Sequence, residues 1–366
     1  MEITMDSLLE IARDVGASDV HITVGLPPKM RVNGTIEDII PHVLTSHDTQ
    51  TLVLSIMNER QVATLKRDGE ADFSYSTEAL GRFRCNVFRQ KNSFAAVLRL
   101  INTVIPAPEK LGLPWSVMDL AKRKRGLVLV TGPTGSGKST TLASLINMIN
   151  ENRKEHIITL EDPIEYLHKH KNSIVNQREI GFDTLSFANG IRAALREDPD
   201  VILVGEMRDQ ETIGAAITAA ETGHLVFSTL HTIGAAATID RVIDVFPPHQ
   251  QQQIRVQLAM VLLAVISQQL MPTSDGKGRV AAYEVMHTVP AIASNIRDAK
   301  THQIPSTIQT SKKMGMQTMD DAIFDLYHDL KISADTALEF AQEPEVLKRK
   351  SVSYTHLRAH ETLRHL

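Results

Sequence analysis

The stretch Gly132-Pro133-Thr134-Gly135-Ser136-Gly137-Lys138-Ser139 has the spacing of a loop that holds phosphate groups, G-x-x-x-x-G-K-[ST]. Glycines at these positions let successive backbone N–H groups turn toward one anion. The Lys138 ammonium can reach the β- and γ-phosphates of a nucleotide. The Ser139 hydroxyl can ligate Mg2+, and Thr140 extends the same turn. The run before the loop, GLVLVT, is short, apolar and β-branched, as a buried strand is. A helix is expected from about Lys138, and its positive N-terminal end faces the same anion.

A nucleotide is cleaved only where something positions water. DPDVILVGE places Glu206 just past the C-terminal end of a buried strand, where open α/β sheets bring their ligands. Phosphate-loop enzymes usually end this strand with an aspartate directed at Mg2+; here that place is Gly205. Glu206 is therefore expected to polarise the water and also to contact Mg2+ through another water. ITLEDPIEYLH ends a second strand with Glu161, Asp162 and Glu165. Such a trio is either a solvated turn forced by Pro163, or a set that orders Mg2+-bound waters and pairs with incoming arginines. GHLVFSTLHT sets His224 before a third strand and His231 after it. His231 falls where a γ-phosphate sensor would sit if this strand adjoins the phosphate loop. His224, counted with the nucleotide-binding residues, is also suited to bond a backbone carbonyl and hold the strand. No His/Cys/Asp spacing points to a metal cage.

The elements that must position these groups follow from the apolar pattern. GLVLVT, HIITLED, DVILVGE and HLVFSTLHT alternate with helical segments, the pattern of a parallel sheet covered on both faces, and RVAAYEVM (279–286) reads as a later strand. Residues 115–287 form this core, and 288–350 read as helices. Upstream, residues 1–104 read as a small α+β domain. Its helix over 3–14 carries Ile3, Leu8, Ile11 and Ala12 at helical spacing. Its strands lie in SDVHITV, PKMRVNG, GRFRCNVFRQ and FAAVLRL. The proline-rich stretch 105–114 between the two is expected to be a semi-rigid linker and a candidate hinge. VSYTHLRAHET near the end matches the in-frame translation of a sequencing-library adapter, so 351–366 are read as a non-native tail.

With 366 residues, 42% of them hydrophobic and 22% charged, the chain has the composition of an ordinary globular protein of two or three domains. A net charge of −4 supplies no global basic field for nucleic acid, and the densest basic run, AKRKR (121–125), reads as a solvated helix end. The single cysteine, Cys85, fits a reducing cytoplasm and reads as a small buried strand residue. The N-terminus lacks a secretory signal. The apolar stretch LAMVLLAVI (258–266) is too short to span a bilayer, so a membrane role would run through a partner.

Taken in order, these blocks resemble the type II/IV secretion ATPase superfamily, and within it the PilT-type twitching-motility ATPases that retract type IV pili. The match extends over ASDVHITVGLPPKMRVNG, GRFRCNVFRQ, LGLP, GPTGSGKSTT, ITLEDPIEYLH, ALREDPDVILVGEMRDQET, GHLVFSTLHT and MGMQTMDDAI, covering residues 1 to about 345. The resemblance implies a PAS-like N-terminal domain, a RecA-like phosphate-loop core, ATP and Mg2+ as ligands, and a homohexameric ring. It implies Glu206 as the catalytic glutamate, with Arg84 and Arg99 reaching the nucleotide site of a neighbouring copy. It also implies a cytoplasmic motor at the inner face of the membrane, acting on a pilus platform protein. Relatives that assemble pili or drive type II secretion usually add an N-terminal domain and a four-cysteine zinc insert, so the retraction branch is expected here. A nucleotide-gated binding module with little hydrolysis is the alternative of another class. AIASNIRD (291–298) keeps Ile292, Ile296 and Arg297 of the retraction pattern Ala-Ile-Arg-Asn-Leu-Ile-Arg-Glu. It departs at Ala293, Ser294, Asn295 and Asp298.

Overall fold

The computed structural model describes residues 3–349 except 33, 78 and 102; the suspected non-native tail lies outside them. The chain divides into two compact units, Met1–Thr103 with Glu165–Leu167, and Val104–Ile164 with the residues from His168 onward.

The first unit is α+β. Its strands are β1 (Asp19–Ile22), β2 (Lys29–Val32), β3 (Thr35–Asp38), β4 (Glu70–Thr77), β5 (Gly81–Gln90) and β6 (Ser93–Leu100), ordered β3-β2-β1-β6-β5-β4 and paired antiparallel throughout. Helix Met5–Val15 opens on Thr4, whose side chain accepts the Ser7 N–H, and closes on Gly16 at φ 78°. Its buried face is Met5, Leu8, Leu9 and Ala12, a strict i, i+3, i+4, i+7 stripe. Ile11, expected on that stripe, lies off it and is exposed. Cys85 is fully buried on β5, and burial pushes its thiol up to about 12.

The second unit carries β7 (Gly126–Thr131), β8 (His156–Glu161), β9 (Ile174–Glu179), β10 (Val201–Val204), β11 (Leu225–Leu230), β12 (Leu262–Pro272) and β13 (Arg279–His287), in the order β13-β12-β7-β11-β10-β8-β9. All pairings are parallel except β12 with β13. The central parallel strands β7, β10 and β11 are buried along their whole length, and β8 is buried from Ile157 onward. Leu127 and Leu129 of β7 pack into one core, Val128 and Val130 into another on the opposite side. The apolar stretch 258–266 is the end of helix Pro248–Val261 running directly into β12. Among the described residues no helix is long and apolar enough to cross a membrane.

The whole of the expected linker, 105–114, belongs to this unit. Pro108–Leu111 is a 3-10 turn, the Ser144 hydroxyl donates to the Pro106 carbonyl at 2.9 Å, and the Tyr283 hydroxyl donates to the Leu111 carbonyl at 2.9 Å. The helices Pro290–Arg297, Ile304–Thr310, Met319–His328 and Ala334–Phe340 follow β13. In the first of them the retained Ile292 and Ile296 are fully buried, whereas Ala293, Ser294 and Asn295 are half-buried. The basic run at 121–125 is partly neutralised, Lys122 and Arg123 by Asp119 and Lys124 by Glu155.

Candidate functional site

Because β7, β11, β10 and β8 run parallel, their C-terminal ends open on one edge of the sheet. After β7 the chain crosses to β8, and β10 and β11 return between them, so that edge carries the topological switch where such sheets bind ligands. Gly132–Gly137 follows β7 there, and helix Lys138–Asn152 starts directly behind it with Gly137 as N-cap at φ 89°. The register of β12 against β7, Ser267 opposite Thr131, puts the next residue, Gln268, beneath the loop. A Cβ on Gly132 would lie 2.2 Å from the Gln268 carbonyl oxygen and 2.8 Å from Ser136 Oγ. Gln268 is 3% exposed, and its Oε1 accepts the Thr141 hydroxyl at 2.8 Å, tying β12 to the first turn of the helix. Neither Gln268 nor Thr141 stood out in sequence; the signal was the buried Ser267-Gln268-Gln269 run inside an otherwise apolar strand.

Lys138 is buried, and its ammonium donates to the carbonyls of Gly132 and Pro133, each at 2.9 Å. Burial lowers its pKa, and the Glu206 carboxylate opposes that shift. Ser139 is exposed at the helix start. Ser136 Oγ is buried without a hydrogen-bond partner, a donor suited to an incoming phosphate oxygen. Among the described residues no cluster of His, Cys, Asp and Glu could hold a metal unaided. A Mg2+ held by one hydroxyl and by nucleotide phosphates fits that donor set, since this ion seldom uses an all-protein cage.

Glu206 is set by the two strands beside β10. The Gly205 N–H donates to the Leu160 carbonyl at 2.8 Å. The Thr229 hydroxyl donates to the Gly205 carbonyl at 2.6 Å, and the Met207 N–H to the Thr229 carbonyl at 3.1 Å. A Cβ on residue 205, where an aspartate is usual, would sit 3.2 Å from the Leu160 carbonyl oxygen, a tight approach. The Glu206 carboxylate is half-buried. Its Oε2 takes Arg208 Nε at 2.8 Å and stands 3.4 Å from His231 Nε2. His231 and Glu206 thus converge, and Arg208, not singled out in the sequence, joins them.

Glu161 ends β8 beside Gly205 and is buried, accepting the Thr159 hydroxyl at 2.6 Å and Gln177 Nε2 at 3.1 Å. Asp162 follows, exposed, before a cis bond to Pro163. Glu165 groups with the first unit. His224, expected either with the nucleotide-binding residues or as a bond to a backbone carbonyl, lies away from the phosphate loop. It precedes β11, whose first residue Leu225 pairs with Gly126, so it lies at the opposite end of the sheet from the phosphate loop. Five residue steps along the strand, roughly 17 Å, separate the two ends. His224 Nδ1 instead lies 2.9 Å from the Ala219 carbonyl, fastening the end of the preceding helix. In the first unit Arg84 and Arg99 are cross-strand neighbours on β5 and β6. Both are exposed, and Arg99 Nε donates to Asp19 Oδ1 at 2.8 Å. Burial raises the Asp19 pKa, but hydrogen bonds from Ser18 and Arg99 outweigh it and hold the carboxyl low.

A family model described as type II/IV secretion system protein matches residues 1–326. The chain belongs to the type II/IV secretion system protein family. Within that family it is 49% identical over 318 residues to a twitching motility protein of Neisseria gonorrhoeae, covering 87% of this chain and 85% of that one. It is 48% identical over 345 residues to the type IV pilus retraction ATPase PilT of Pseudomonas aeruginosa, covering 94% and 99%. Among solved structures, the pilus retraction motor PilT with bound ADP superposes at a TM-score of 0.89 with 50% identity, covering 95% of this chain and all of that one. The fold of the secretion family, a RecA-like core behind an α+β domain, is the fold described above.

Proposed function

We propose that this chain is a motor ATPase that couples ATP hydrolysis to type IV pilus retraction. The observation that carries the reading is the gathering of Lys138, Glu206 and His231 at one edge of a parallel sheet, in a chain aligned nearly end to end with retraction ATPases. The loop N–H groups, Lys138 and Ser136 hold the phosphates. Glu206 takes a proton from water as the water oxygen attacks the γ-phosphorus and the bond to the ADP oxygen breaks. His231, whose Nε2 lies 3.4 Å from the same carboxylate, registers the γ-phosphate. Mg2+, held by Ser139 and by Glu206 through water, would neutralise phosphate charge. Thr140, Glu161 and Asp162 line the same edge. Glu165, Arg84 and Arg99 act at the nucleotide as parts of a ring, the two arginines supplied to the site of a neighbouring copy. The ring is a homohexamer in the cytoplasm that pulls on an inner-membrane pilus platform protein.

Phosphate release by the purified protein tests the enzyme. Glu206→Gln should lower turnover on the order of 10²–10⁴-fold while nucleotide still binds. A wild type no faster than this variant would leave only a binding module. Deletion of the gene tests the direction of work: excess, immobile pili are expected, and bald cells would mean assembly.

A further inference from the structure

Glu284, on β13, is a buried carboxylate that the site above does not use; its residue is 6% exposed. Burial raises its pKa, and hydrogen bonds from the backbone N–H groups of Ala235 and Met319 oppose the shift. Ala235 N–H donates to Oε1 at 2.7 Å and Met319 N–H to Oε2 at 3.3 Å. Each donor is the first residue of a ten-residue helix, Ala235–Asp244 and Met319–His328. Neither N–H has an acceptor within its own helix, so one carboxylate satisfies two orphan donors and faces two positive helix ends.

The two helices lead to different places. Ala235 is four residues after His231. The intervening Gly234 sits at φ 88°, its N–H donates to Ser267 Oγ at 3.0 Å, and its carbonyl accepts the Thr238 hydroxyl at 2.7 Å. Ser267 adjoins Gln268 under the phosphate loop. Met319 belongs to the motif MGMQTMDDAI, which the catalytic reading left unused. That motif is pinned to β13 on both sides of Glu284. Gln317 exchanges backbone bonds with Val285 at 2.9 and 3.1 Å, and its side chain donates to the Tyr283 carbonyl at 2.7 Å.

We propose that Glu284 is a positioning residue that couples the segment after His231 to the helix Met319–His328, so that a change of nucleotide is transmitted to the C-terminal helices. The proposal rests on the reading of His231 as the γ-phosphate sensor. A carboxylate is rigid and planar. With both oxygens engaged in a buried site, displacement of one N–H partner either drags the other or leaves a buried group unpaired. Glu284→Gln keeps the shape but has one acceptor and one amide donor. With its carbonyl on the shorter bond to Ala235, its NH2 faces the Met319 N–H.

The test is hydrogen exchange on the full chain, with Mg2+ and either ADP or a non-hydrolysable ATP analogue. In the wild type, exchange in both 232–238 and 318–324 should differ between the two nucleotides. In Glu284→Gln the difference at 232–238 should persist while that at 318–324 disappears, with basal exchange at 318–324 faster on the order of tenfold. Nucleotide affinity should stay within about twofold, since the variant shares no partner with the loop. A wild type that responds at 232–238 but not at 318–324 overturns the coupling, whether or not the variant folds. A variant that keeps both responses also overturns it. No response at 232–238 in the wild type would refute the His231 reading and with it the premise of the coupling.

Discussion

Replacing Gly132 by alanine tests whether the phosphate loop depends on β12 beneath it. Gly132 has φ 141°, a conformation that costs an L-residue about 1–3 kcal/mol. The new methyl carbon would also lie 2.2 Å from the Gln268 carbonyl oxygen. That oxygen belongs to a strand paired with β7 one residue earlier, so it cannot retreat without breaking the ladder. Overpacking of this kind adds about 1–3 kcal/mol. The combined cost, about 2–6 kcal/mol, is a large share of ordinary domain stability. Gly135 in the same loop is the control. Its φ is 80° and nothing lies within 4 Å of a built Cβ, so alanine there carries only the left-handed penalty of about 1–2 kcal/mol. Urea unfolding followed by the fluorescence of Trp115, the single tryptophan and a residue of the second unit, reads the stabilities. Calorimetry with ADP reads the binding. Gly132→Ala should lower the unfolding midpoint more than Gly135→Ala and weaken ADP binding by at least about thirtyfold, the equivalent of 2 kcal/mol. Equal midpoints for the two variants, or an unchanged Gly132→Ala protein, would refute the support assigned to β12.

Two further outcomes are expected. Arg84→Ala should leave ATP binding nearly intact and cut turnover on the order of 10³–10⁵-fold, checked by paired binding and phosphate-release measurements; equal losses in both would count against a finger supplied to a neighbouring copy. Burial, with Lys171 adding to it, lowers the His168 pKa from 6.5 to about 4. The unfolded chain therefore binds a proton that the folded chain refuses between those values, and stability should fall by about 3 kcal/mol as the pH drops from 6.5 to 4. His168→Leu should lack that part of the acid sensitivity in urea titrations at the two pH values.

Much of the site was legible because its signals are local. A strand, a glycine-rich turn and a helix are contiguous from 126 to 152, and short β-branched runs marked β8, β10 and β11. Four strands were not singled out. β3 is a short edge with every residue exposed, and β4 and β9 mix polar and apolar residues without a strong run. The apolar start of β12 was legible, but helix Pro248–Val261 merges into it with no turn residue to mark the change. The 105–114 stretch read as a linker from its prolines, yet its carbonyls are held by Ser144 and Tyr283, residues far along the chain that no local pattern could connect.

The sequence by itself determined the phosphate loop, the acid past β10 and the parallel α/β character, since each is written within a few neighbouring residues. Only the tertiary structure decided which of those residues share an edge. Strand order brings Glu206 and His231 together, while the length of one buried strand carries His224 to the far end of the sheet, though both histidines flank that strand. The same holds for Gln268 and Glu284. Their roles come from strand register and from donors more than thirty residues away, because a buried acceptor is defined by whatever the fold sets against it and not by its neighbours in the chain.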